Sequence, residues 1–107
     1  PPMLRARAFM GMGLCEEERL YRLPKSKVIN TERWGNAVWA YTMANKVCPQ
    51  LADPLYHRAV LLNKAGLYDR AEVDLLACDD TEWLDDSLLD NVDYELSVAR
   101  RGAAEKQ

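Results

Sequence analysis

One pattern occurs twice in this chain. Trp34, Ala37, Tyr41 and Ala44 are matched by Tyr68, Ala71, Leu75 and Cys78, each pair 34 residues apart. Aromatic meets aromatic, small meets small and bulky meets bulky. A period of this length belongs to a helix-turn-helix unit, which buries its apolar face by stacking on a neighbour. The offset extends forward, from Leu55 to Leu89, Leu62 to Leu96 and Ala65 to Ala99. Backward, Tyr21 and Val28 fall on Leu55 and Leu62, but Pro24 interrupts a helix there by removing a donor and crowding the preceding turn.

Local signals agree with an all-α architecture. Thr31 suits the N-cap of a helix running to about Val47, on which Trp34, Ala37, Val38, Tyr41, Ala44 and Cys48 form one apolar stripe. Pro49 stops it. Asp53-Pro54 opens the next helix as an acidic cap followed by proline, and Gly66 closes it. Tyr68 to Cys78 follows, with Asp69, Arg70, Glu72 and Asp74 expected outward. A last helix is expected from Glu82 to Arg101, ended by Gly102, with Leu84, Leu88, Val92, Leu96 and Ala99 along one side. Upstream, Glu16 to Leu23 reads as a short helix ended by Pro24, and Val28 and Ile29 as loop residues able to plug the core.

The expected organisation is therefore an arm or presequence remnant over residues 1–14, a helical domain of about five helices over 15–102, and a flexible tail over 103–107. The first stretch carries Arg5 and Arg7 and no acid, which is the composition of an import presequence and suggests a mitochondrial setting.

Hydrophobic residues make up 49% of the 107, enough to bury a core, and the net charge is −3. That balance argues against nucleic acid as the main partner. No apolar run approaches the roughly 20 residues of a membrane span. Cys15, Cys48 and Cys78 form no paired motif, and Cys78 stands where its counterpart is Ala44, as a small core residue does. His57 is the single histidine and has no nucleophile pattern around it, so neither a catalytic site nor a zinc site is expected. The acids from Asp79 to Glu95 lack the turn glycine and alternating ligands of a calcium loop. No cofactor and no small-molecule substrate follow from these residues.

These residues resemble a tetratricopeptide repeat (TPR), whose motif places a small residue in the first helix, Gly before the turn and an aromatic after it. Ala, a bulky residue, Ala and a closing Pro then follow. Ala59, Gly66, Tyr68, Ala71, Leu75 and Cys78 supply one unit; Trp34, Ala37, Tyr41, Ala44 and Pro49 supply half of another. The resemblance covers residues 31–80 well and 81–101 weakly. Asp80 and Thr81 stand where the closing Pro belongs. It implies a TPR-like α-solenoid fragment that binds other protein subunits along the side lined by the first helices. That side carries Tyr56, His57, Val60, Asn63 and Lys64, which do not reproduce the family's carboxylate clamp. Trp39, off the core stripe, is a further candidate contact. Asp85, Asp86 and Asp90 head an acidic face suited to a basic partner. Trp83 is expected to pack between the last two helices. The implied role is an accessory or assembly subunit of a larger complex. A free, co-chaperone-like adaptor and the regulatory subunit of an enzyme are the alternatives.

Overall fold

The computed structural model describes residues 1–22 and 32–106. Pro24, the loop residues Val28 and Ile29, and the expected cap Thr31 lie outside them. The described residues form five helices: α1 (Pro2–Leu20), α2 (Glu32–Val47), α3 (Asp53–Lys64), α4 (Tyr68–Cys78) and α5 (Asp86–Glu105). The chain divides into two compact units, Pro1–Pro49 and Gln50–Gln107.

In the first unit α1 packs on α2. All but the first of residues 1–14, expected as an arm or presequence remnant, belong to α1. Pro2 occupies the first turn, where its missing N–H costs nothing, and Met, Leu, Ala and Arg continue the helix. Ala6, Gly13, Glu17 and Leu20 make the buried face of α1; Ala37, Ala40, Tyr41 and Ala44 make that of α2. Gly13 allows the closest approach, since a Cβ there would lie 2.5 Å from the Tyr41 ring.

In the second unit α3 and α4 form a hairpin, turned at Gly66 in a left-handed conformation (φ 78°) that favours glycine. α5 packs on both. Ala52, not Asp53, is the N-cap of α3, with Asp53 already in its first turn. Asp85 caps α5 by accepting a hydrogen bond from the Ser87 amide at 3.1 Å. The helix therefore starts four residues later than Glu82. The Thr81 hydroxyl donates back to the Cys78 carbonyl at 2.7 Å and closes α4.

The expected end of α5 at Gly102 is also corrected. The helix runs through Gly102 to Glu105, so residues 103–105 are not a loose tail. Gly102 is buried against Tyr68, whose ring would lie 2.5 Å from a Cβ at that position. Here glycine serves close packing rather than termination.

Burial follows the 34-residue correspondence between α2 and α4 but not its forward extension, where Leu55 and Leu62 are buried while Leu89 is exposed and Leu96 half-buried. Ala37 and Ala71, Tyr41 and Leu75, and Ala44 and Cys78 are all fully buried, while Trp34 and Tyr68 are both partly buried. On α5, Leu88, Val92 and Ala99 are buried and Leu96 is half-buried; Leu84 lies before the helix. Among the described residues no helix is long and apolar enough to cross a membrane.

Candidate interaction surfaces

The residues expected to make contacts separate by element. Trp39, on α2, is 51% exposed, and Phe9 of α1 meets it edge to face with ring centroids 5.8 Å apart. Beside that pair lies a groove of about 420 Å³, lined by Gly11, Met12, Cys15, Glu16 and Arg19 of α1 and by Asn36, Trp39 and Ala40 of α2. Arg33 meets Glu16 at 3.6 Å and offsets its charge.

On α3, Tyr56, Val60 and Lys64 recur every four residues and form one stripe, half-buried at the first two and exposed at Lys64. His57 lies beside it, its ring edge to face with Tyr56 at 5.1 Å. Asn63 does not belong to that surface. It is buried, and its amide nitrogen donates to the Glu95 carbonyl at 3.1 Å and to Glu95 Oε1 at 3.0 Å, so it ties α3 to α5. Asp85, Asp86 and Asp90 are exposed at the start of α5, with Asp85 engaged as the cap.

Trp83 does not pack between the last two helices. It is 47% exposed, and its backbone forms the single β-bridge of the described residues, with Leu51. The Trp83 amide donates to the Gln50 carbonyl at 3.0 Å, and the Ala52 amide to the Trp83 carbonyl at 3.3 Å. Backbone pairing fixes this loop and leaves the indole outside.

Two polar clusters escaped the sequence reading because each joins residues far apart in the chain. In the first unit the buried Glu17 carboxylate accepts from the Tyr21 hydroxyl at 2.6 Å and from the Tyr41 hydroxyl. Burial, and next the bond to this carboxylate, push the Tyr41 phenol far above its ordinary range. In the second unit Arg58 reaches Asp74 through two parallel bonds of 2.7 Å. Asp74, expected outward, is buried, and its bonds raise the Arg58 guanidinium further against the opposing effect of burial. Burial pushes the Cys78 thiol up to about 12, and its Sγ lies 3.8 Å from the Ala52 carbonyl.

Also missed were exposed apolar residues off the core stripes: Val73 and Leu76 on α4, and Leu4, Met12 and Leu14 on α1. For Val73 and Leu76 the signal was available, since both fall between the inward positions Ala71, Leu75 and Cys78. Among the described residues no three His, Cys, Asp or Glu side chains converge as metal ligands would.

Charge is distributed unevenly along the sequence. Residues 1–49 carry eight basic and four acidic side chains, net +4; residues 50–107 carry six and thirteen, net −7. Comparison with protein-family models, with curated proteins and with solved structures gives no match.

Proposed function

We propose that the chain is a protein–protein interaction module of TPR-like helical-repeat type, acting as an accessory or assembly subunit of a larger complex. The observation that carries this reading is the matched burial of the α2 and α4 residues that stand 34 positions apart. The order of elements in residues 50–107 supports it further. A hairpin of two helices is followed by a third that begins 33 residues after the first, at Asp86 against Asp53, and packs on both. Such a stack buries one face and leaves the others for partners. The exposed residues Val73 and Leu76, the stripe Tyr56–Val60–Lys64 and the half-exposed Trp39 are the surfaces offered.

Crosslinking with mass spectrometry in native extract tests the reading. Reproducible crosslinks from α3, α4 or the Trp39 face to one or a few other proteins are expected. A chain that stays a monodisperse monomer and crosslinks to nothing overturns it.

A further inference from the structure

The groove beside Trp39 has the form of a seat for one more helix. Along α1, Arg5, Ala8, Met12, Cys15 and Arg19 recur at alternating three- and four-residue steps, and all five are exposed. That spacing is the seam by which one helix meets another. Its centre is apolar and its two ends are arginines, about 21 Å apart at 1.5 Å per residue.

Gly11 lies midway along α1, on the flank of this face, and lines the groove. A Cβ on Gly13 or Gly102 would strike a tyrosine ring, so the chain's own packing accounts for those two glycines. A Cβ on Gly11 would meet nothing within 4 Å, and the same holds for Gly35, one turn before Trp39. A glycine in an open helix interior lowers helix stability, and among the described residues this one gains no side-chain contact in return. A glycine there leaves room for another backbone to come close, as small residues do where helices cross.

We propose that this groove receives an amphipathic helix of a partner protein, with a small-residue or leucine seam and acidic residues near both ends to meet Arg5 and Arg19. The proposal rests on the interaction-module reading and names the kind of partner for one of its surfaces. Charge decides the occupant. Glu16 of the lining lies 3.6 Å from Arg33, Glu17 is buried between tyrosines and Glu18 pairs with Arg22 at 3.1 Å, so the charge left along this face is that of Arg19 in the groove and of Arg5 beyond its lining. A second copy fits poorly, because α1 laid antiparallel on itself about Met12 would set Arg5 against Arg19. The chain's own acidic helix, α5, already spends its apolar stripe (Leu88, Val92, Ala99) inside its own unit.

Two synthetic helical peptides test this against the full chain: one with a Leu/Ala seam and Glu at both ends, and its twin with Lys in place of Glu. Binding is measured by titration calorimetry and by NMR shifts of the Gly11 amide and the Trp39 indole. The Glu peptide is expected to bind and to move both signals, and the Lys twin to bind at least about tenfold more weakly. Gly11→Leu, which fills open space and favours helix, should abolish binding with the fold intact; Arg5→Glu with Arg19→Glu should reverse the preference. Equal binding of the two peptides, no binding of either, shifts confined to other helices, or a homodimer that Gly11→Leu dissociates would each overturn the proposal. If a native partner crosslinks equally well to the wild-type chain and to Gly11→Leu, the groove assignment falls and the interaction-module reading stands.

Discussion

Gly13 of α1 lies against the Tyr41 ring, and Gly102 of α5 lies against the Tyr68 ring. Both units thus use one contact, a helix backbone brought down on a tyrosine by a residue without a side chain. Their surroundings differ. Tyr41 is fully buried, and its hydroxyl donates to the buried Glu17. Tyr68 is partly exposed, with Lys106 Nζ 5.2 Å from its ring centre and donating to the Gly66 carbonyl. The units also settle their buried charge differently. In the first, an acid is held by two neutral phenols; in the second, an acid is held by a guanidinium. The same packing device therefore sits in a rigid setting in one unit and a yielding one in the other.

The largest expected effect comes from breaking the ion pair. Asp74→Ala leaves Arg58 four-fifths buried without its bidentate partner, and about 3–4 kcal/mol of stability should be lost. Chemical denaturation followed by helical circular dichroism measures it. The double change Arg58→Met with Asp74→Leu should recover most of that loss, since apolar replacement of a whole buried pair is often neutral. If the double variant is as weak as the single one, the pair does more than neutralise charge, and the contrast with the first unit is deeper than drawn.

Next come the two glycines, which test the contrast directly. Gly13→Ala and Gly102→Ala place a Cβ at the same distance from a ring, 2.5 Å. The pinned Tyr41 has nowhere to go, so Gly13→Ala should cost about 3 kcal/mol, the upper part of the overpacking range. Tyr68 can swing toward solvent, so Gly102→Ala should cost about 1 kcal/mol after the gain in helix propensity. Equal losses would show that exposure of the ring does not govern the outcome.

How much of this was open to sequence reasoning follows from the range of the interactions. The positions of α2, α3 and α4, and the burial of Ala37, Tyr41, Ala71 and Leu75, depend on neighbours three or four residues apart, and periodicity reports those. The fate of residues 1–14 depends on a face, Ala6, Gly13, Glu17 and Leu20, that includes a glycine and an acid. It carries little apolar signal, so basic composition dominated the reading. Asp74 and Asn63 looked like surface residues because their partners, Arg58 and Glu95, lie 16 and 32 positions away. Gly102 looked like a helix stop because nothing local announces the Tyr68 ring. Of the candidate contacts, the exposed aromatic Trp39 was visible as a break in a stripe. The groove it borders needed α1 to exist as a helix first.

A smaller effect is expected from Glu17. Glu17→Leu removes the acceptor of the buried Tyr41 hydroxyl and should cost about 2 kcal/mol, the price of an unsatisfied polar group. Adding Tyr41→Phe removes the orphaned hydroxyl and should restore part of the loss, so a double-mutant cycle isolates the pair. Full additivity would mean that the bond between Tyr41 and Glu17 contributes nothing to stability.

Alkaline pH separates the units by the smallest margin. Cys78 titrates near 9 when the chain is unfolded and is pushed up to about 12 when folded, so the native state keeps a proton that the unfolded state releases. Its contribution is complete below about pH 9 and declines as pH rises from 9 toward 12, and within the first pH unit of that rise the loss is at most about 1.4 kcal/mol. Tyr41 also holds its proton more tightly when folded, so the first unit begins to lose stability only above the ordinary phenol range, near pH 10. Between pH 9 and 10, amide exchange in α3 and α4 should therefore quicken before exchange in α1 and α2. Cys78→Ala places at this position the residue that its counterpart Ala44 already supplies, and it removes the titrating thiol. In that variant the early loss in α3 and α4 should vanish while the helices of the first unit respond as before. If α3 and α4 still open first in Cys78→Ala, the cause lies in another group, and the thiol does not set the alkaline limit of the second unit.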